Sequence, residues 1–147
     1  MYTGLLHLHS FMRWIALILL IIAVVKAVSA WNNSSKLYTE GNRKLNLFTL
    51  ISVHLQLVIG FVLYFVSPKV QFGASTMKDA LIRYFSVEHA FMMIIAIVLI
   101  TIGYSKAKRL EIGFEKHKKI AVFYGLGLLV ILVSLALAPY NIITKLY

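Results

Sequence analysis

The sequence predicts an all-α integral membrane protein, an antiparallel bundle of four helices that cross the bilayer. Two features of its composition support this fold class. Hydrophobic residues make up 61% and charged residues 14% of the 147 positions, whereas soluble domains carry roughly 45–50% and about 25%. Mean hydropathy is +0.85. The third observation is that the apolar residues form four continuous runs, each matching the ~20 residues that a helix needs to cross ~30 Å of hydrocarbon.

The four predicted spans cover residues 11–30, 45–66, 82–103 and 120–138, within a single transmembrane domain. Pro139 follows the last span at once, and proline lacks the backbone N–H that a continuing helix needs. The connectors are short and polar, so consecutive helices are expected to run in opposite directions.

The distribution of basic residues predicts the orientation. Ten of the fifteen Lys and Arg residues flank the first and third connectors. Cytoplasmic loops carry the excess of cations, so both termini are expected on the outer, periplasmic side of a bacterial inner membrane. The five cations on the outer side are Arg13, Lys69, Lys78, Arg83 and Lys145. Amphipathic aromatic rings collect at the interfaces, and those expected at the outer one include Tyr64, Tyr84 and Tyr140.

Charge and cysteine content exclude several function classes. The formal net charge is +10, but the cations lie between or beside the apolar runs, as they do in membrane proteins that contact anionic lipid. Nucleic acid is therefore not an expected partner. The chain has no cysteine, which excludes disulfides, thiolate metal sites, iron–sulfur clusters and thioether-linked haem.

Ionisable residues inside the apolar runs are the candidate functional residues, because a charge within a membrane is costly. At a rise of ~1.5 Å per residue, His54 lies ~15 Å below Tyr64, and His89 lies ~7–8 Å below Tyr84. Two neutral imidazoles at similar depth on facing helices are what a bis-histidine haem b requires. The expected site is therefore a haem iron with His54 and His89 as its axial ligands.

Other arrangements of the same residues stay open. His9 replaces His54 as a ligand if the first span is shifted inward by about one turn. Alternatively, the histidines serve only helix packing, or they join Glu88 in holding a divalent metal such as zinc or iron. Arg13 shares a helical face with His9, and it either pairs with Glu88 or contacts a haem propionate.

Two further histidines and one stripe of side chains receive structural interpretations. His7 is expected at the water boundary, and His117 is expected to be solvated near the phosphates of the inner leaflet. Small and polar residues on one face of a span suit contact between helices, here interpreted as helix packing or as a homodimer face. On the second span this stripe comprises Thr49, Ser52, Gln56 and Gly60.

Four segments of the chain resemble small four-span bacterial membrane proteins labelled cytochrome b, a cytochrome b-like family. They read LHLHSFMRW, HLQLVIGFVLYFVSP, VEHAFMMIIAIVLITIG and KHKKIAVFYGLGLLVILVS. The resemblance covers nearly the whole chain. It implies haem b and electron transfer in the inner membrane, and the histidines that match are His9, His54 and His89.

The expected function is that of a b-type cytochrome, an electron carrier or subunit rather than a stand-alone enzyme. Its expected partners are the lipid bilayer, quinone and other respiratory membrane proteins. Two alternatives belong to different classes. One is a cofactor-free accessory or assembly subunit of a membrane complex, and the other is a factor that delivers haem or matures an oxidase.

Overall fold

The computed structural model describes residues 1–139, and the regular structure within that range is entirely helical. Its four long helices are α1 (Tyr2–Trp31), α2 (Glu40–Val66), α3 (Ala80–Arg109) and α4 (Gly113–Ala136). Each is long and apolar enough to cross a membrane. The prediction of an all-helical chain with four helices that can span a membrane is confirmed. Tyr140 and Lys145 lie outside the described residues.

Every helix begins before the span predicted for it, because an apolar run marks only the part that suits hydrocarbon. Polar residues at the helix starts explain two of the extensions. The Thr39 hydroxyl accepts a hydrogen bond from the Asn42 N–H at 3.3 Å and caps α2. Asp79 Oδ1 accepts from the N–H groups of Leu81 and Ile82 and caps α3. Such caps satisfy N–H groups that have no partner within the helix.

The helices contact one another in a ring. α1 packs against α2 and α4, and α3 also packs against α2 and α4. The four principal interfaces therefore leave α1 and α3 diagonal to each other across the middle of the molecule. Side chains that both helices direct inward can meet there.

Two glycines allow α3 and α4 to approach closely. A Cβ at Gly103 would lie 2.5 Å from Phe123 Cβ, and a Cβ at Gly127 would lie 2.7 Å from Ile100 Cγ1. Small residues at such positions let membrane helices make extensive van der Waals contact, which replaces the hydrophobic effect as the source of association within lipid.

Both the interior and the exterior of the bundle carry many apolar side chains. Alanines on one face of α1 are buried against the core that includes Leu20, Ile100 and Tyr124. Large apolar side chains cover the outside, among them Phe65 and Phe91. A helix that is apolar on its outer face as well as its inner one is typical of a membrane span. The fold is that of a multi-pass membrane protein.

Candidate functional site

The structure brings His9 of α1 and His89 of α3 into proximity, together with Arg13. The three side chains lie within electrostatic range of one another. The Nδ1 atoms of both imidazoles are buried and have no hydrogen-bond partner. A buried polar atom without a partner costs roughly 1–3 kcal/mol and is uncommon in native proteins. The two rings are therefore candidates to bind a further group.

Helix α2 holds the His9 segment through two contacts. The Gln56 side-chain amide donates a hydrogen bond from Nε2 to the His9 carbonyl oxygen at 2.8 Å. One turn later, a Cβ at Gly60 would lie 3.2 Å from His9 Cε1. Glycine at this position lets the imidazole rest against the backbone of α2. Gln56 and Gly60 thus position His9, although neither was expected to belong to the site.

The π-helical turn Tyr84–Glu88 stands immediately before His89. Within it, the His89 N–H donates to the Tyr84 carbonyl five residues earlier. The wider turn changes the direction in which neighbouring side chains and carbonyls point, and such turns occur frequently at functional sites. The Tyr64 hydroxyl donates to the Ser86 carbonyl at 2.7 Å. No residue pattern in the sequence predicted this turn.

Aromatic rings pack beside His89. The centroid of the Tyr84 ring lies 5.7 Å from that of the imidazole, and the centroid of the Phe85 ring lies 6.3 Å from it. Tyr84 itself is only 3% exposed and donates a hydrogen bond to the Ser134 carbonyl at 3.0 Å. Tyr84 therefore lies inside the bundle near the start of α3 and the end of α4, where its hydroxyl finds an acceptor within the protein.

Arg13 and Glu88 do not form an ion pair with each other in the described part of the chain. Glu88 Oε1 instead accepts a hydrogen bond from Arg83 Nε at 2.7 Å, five residues earlier. Arg13 donates from its guanidinium to the Ser10 hydroxyl at 2.7 Å. Of the two expectations for Arg13, the pair with Glu88 is wrong. The guanidinium lies within electrostatic range of both imidazoles, and within residues 1–139 it forms no ion pair with a carboxylate.

His54 lies elsewhere along the bundle. Its Nδ1 is 2.8 Å from the Leu50 carbonyl oxygen, so Nδ1 carries the proton, and Nε2 lies 3.5 Å from the Thr101 hydroxyl. Thr101 is twelve residues after His89 on α3, which corresponds to about 18 Å along the helix. The structure does not bring His54 and His89 together. The depth estimate had accepted a difference of about a turn and a half of helix as a match, and the structure places the two histidines further apart than that.

The remaining histidines divide into one exposed and one buried residue. His7 is exposed. His117 is only 3% exposed, with Nε2 at 3.3 Å from the Leu37 carbonyl oxygen and its ring centroid 5.1 Å from that of Tyr38. The expectation of a solvated His117 is wrong, because the connector between α1 and α2 covers it.

The stripe on α2 faces inward. Thr49 and Ser52 are buried and donate hydrogen bonds to the carbonyls of their own helix, and the other two members contact His9 as described. These residues serve packing within one chain, so they provide no evidence for a homodimer face.

Within residues 1–139, no group of three His, Asp or Glu side chains is arranged to hold a metal ion. The three-ligand divalent metal site through His54, Glu88 and His89 is therefore not formed. What the structure does assemble is a two-imidazole arrangement beside one guanidinium.

Comparison with known proteins supplies no relative for this arrangement. The chain matches no protein-family model, and neither curated proteins nor solved structures yield a significant match to it.

Proposed function

We propose that this protein is a b-type cytochrome of the bacterial inner membrane, in which His9 and His89 are the axial ligands of haem b. The observation that supports it is that two buried imidazoles on diagonal helices come within electrostatic range of each other, each with an Nδ1 atom that has no hydrogen-bond partner. The pair differs from the one expected at first, and it uses the histidine that was held as the alternative ligand.

The residues present fit a haem better than a bare metal ion. Two neutral nitrogen donors suit a bis-histidine haem, whose porphyrin supplies the other ligands. Arg13 is one turn from His9 and suits a propionate, because a guanidinium binds a carboxylate by charge-assisted hydrogen bonds. Ser10 accepts from Arg13 and would orient it. When bound, the haem would supply one-electron redox chemistry, while the chain holds and orients it and keeps the surroundings apolar.

The proposal includes an antiparallel bundle with both termini outside. The order of contacts supports it. Along α2, Gln56 contacts His9 and Ser67 contacts Tyr2, so the two helices progress in opposite directions. The same holds for α3 and α4, where a Cβ at Gly103 would meet Phe123 while Tyr84 contacts Ser134. The excess of cations beside the first and third connectors supports the cytoplasmic assignment of that end.

A membrane-embedded site suits a lipid-soluble electron carrier. We therefore propose quinone, or another respiratory membrane protein, as the redox partner. The candidate site lies near one end of α1 and of α3, within helices whose outer faces are apolar, so a hydrophobic carrier could approach it from the bilayer.

The test is a reduced-minus-oxidised absorption spectrum of the protein purified in mild detergent from cells with ample haem. The wild type is expected to show the α band of a low-spin haem b. His9→Ala and His89→Ala should each lose the band, since each removes one axial ligand. His54→Ala and His7→Ala serve as matched controls, one partly buried and one exposed, and both should keep it.

Each contrary result has a definite meaning. A band that survives His9→Ala but not His54→Ala would restore the pair expected from the sequence. Absence of haem from the wild type would contradict the cytochrome proposal and favour the alternative of a cofactor-free accessory subunit. Rapid transfer of the bound haem to an apoprotein acceptor would favour a delivery factor.

A further inference from the structure

A small basic recess lies at the end of the bundle away from the histidine pair. Its volume is about 100 Å³, and Ala107 forms its apolar wall. A single water molecule needs roughly 10–15 Å³ of such cavity volume, so the recess has room for a group of a few heavy atoms. We call this cavity the basic recess. Its polar lining residues are Tyr38, Arg43, Tyr104, Lys108 and Lys116.

Tyr38 lines this recess and is held by contacts with neighbouring residues. Asn46, only 4% exposed, donates from Nδ2 to the Tyr38 hydroxyl at 2.9 Å. Tyr124 in turn donates to the Asn46 carbonyl at 2.7 Å. A Cβ at Gly113 would lie 3.0 Å from the Tyr38 backbone nitrogen, so the start of α4 also fits closely against it. Because the Tyr38 oxygen accepts from Asn46, its own proton remains to be donated to another acceptor.

The charges of the recess favour an anion. Arg43 pairs with Glu40 on the exposed surface, where an ion pair contributes little. Lys108 and Lys116 take part in neither of the two ion pairs recorded within residues 1–139. Lys116 Nζ lies 5.2 Å from the centroid of the Tyr38 ring. Burial raises the pKa of Tyr38, so the phenol keeps its proton at neutral pH and adds no negative charge.

Exposed apolar side chains stand beside these charges. Leu37, next to Tyr38, is 81% exposed, and Ile112, next to Gly113, is 65% exposed. An apolar side chain without a protein partner, beside amphipathic tyrosines and lysines, is typical of the boundary between headgroups and acyl chains. Basic pockets between membrane helices on the cytoplasmic side bind anionic lipid headgroups.

We propose that the basic recess binds the phosphate group of an anionic membrane lipid, with Lys108, Lys116 and the Tyr38 hydroxyl as its principal contacts. The acyl chains of that lipid lie along Leu37 and Ile112. This site is independent of the histidine pair, and it does not require the protein to bind haem.

The test measures which lipid stays bound to the purified protein. The protein is placed in nanodiscs of equal parts phosphatidylcholine and phosphatidylglycerol, extracted, and examined by native mass spectrometry. The wild type is expected to retain phosphatidylglycerol in preference to phosphatidylcholine. In Lys108→Gln/Lys116→Gln the preference should fall by about fivefold per lysine, the change that corresponds to about 1 kcal/mol for each cation near an anionic surface.

Lys44→Gln/Lys106→Gln is the matched control, because it removes two exposed cations that do not line the recess. This control should retain the wild-type preference. Tyr38→Phe keeps the ring and removes only the hydroxyl, and it should lower the preference without changing helicity measured by circular dichroism. Equal losses in the two double variants would overturn the site, and so would a wild type without preference. Displacement of the lipid by an equal concentration of inorganic phosphate would overturn the lipid assignment in favour of soluble phosphate.

Discussion

At the scale of single residues, the site depends on contacts that connect different helices. His9 becomes a candidate ligand because Gln56 holds its backbone and Gly60 leaves space for its ring. The sequence marks both residues as part of a small and polar stripe, but a stripe on one helix does not reveal which helix it contacts. The role of Arg13 also depends on a contact made elsewhere. Glu88 pairs with Arg83 and not with Arg13.

The contact between Gly60 and His9 predicts the effect of Gly60→Val. The added side chain would collide with the imidazole, which a Cβ alone would approach to 3.2 Å. Overpacking of this kind costs about 1–3 kcal/mol, so the free energy of unfolding should fall by that amount when measured by titration with SDS. Gly4→Val is the control, because nothing lies within 4 Å of a Cβ at Gly4. Equal effects of the two substitutions would contradict the contact.

The hydrogen bond from Tyr124 to Asn46 predicts a second, smaller loss. In the wild type the Tyr124 hydroxyl donates to the Asn46 carbonyl at 2.7 Å. Tyr124→Phe keeps the buried ring but removes this donor. The free energy of unfolding should decrease by about 0.5–1.5 kcal/mol. Tyr2→Phe is the comparison, because the Tyr2 hydroxyl has only a 3.4 Å contact with Ser67. A Tyr124→Phe variant as stable as the wild type would show that this bond contributes nothing.

At the scale of the elements, two departures from a regular helix bundle shape the molecule. The π-helical turn Tyr84–Glu88 sets the direction of His89 and exposes the Ser86 carbonyl to the Tyr64 hydroxyl. The close approach of α3 and α4 depends on Gly103 and Gly127. Both features involve backbone geometry that hydropathy does not report.

The close approach predicts that Gly127→Ala destabilises the protein, whereas Gly125→Ala does not. A methyl group at position 127 would lie 2.7 Å from Ile100 Cγ1 and 3.1 Å from the Ala96 carbonyl, but at position 125 nothing lies within 4 Å. Overpacking should cost the first variant about 1–3 kcal/mol. The second should gain up to about 1 kcal/mol from the higher helix propensity of alanine. Thermal unfolding followed by circular dichroism compares the two, and the opposite ranking would exclude the close contact.

At the scale of the whole molecule, the outer faces of the helices are apolar and the two ends differ in charge. The predicted orientation depends on ten cations at one end, and this is the end that holds the basic recess. The histidine pair lies toward the other end. The two proposed sites would thus face opposite leaflets.

The orientation can be tested directly because the chain has no cysteine. In intact cells, Ser75→Cys in the second connector should react with a maleimide that does not cross membranes. Ser35→Cys in the first connector should react only after the membrane is made permeable. Both positions are exposed, so accessibility depends on the side of the membrane. The reverse pattern would invert the proposed topology.

The sequence by itself determined the helical class and the number of spans, since both follow from runs of apolar residues that are local in the chain. It also named the histidines and Arg13, because any ionisable side chain within such a run is costly. It did not determine which histidines meet. Depth counting put His54 and His89 within ~7–8 Å of each other along the bundle, but it does not report how one helix is displaced relative to its neighbour.

Only the tertiary structure decided the partners of these residues. His9 comes within electrostatic range of His89, while His54 lies beside Thr101, about 18 Å further along α3. Glu88 forms its ion pair with Arg83. The connector between α1 and α2 covers His117. The physical reason is common to all of them. Hydropathy is a property of each segment alone, whereas the partner of a polar side chain depends on the rotation and displacement of one helix relative to another.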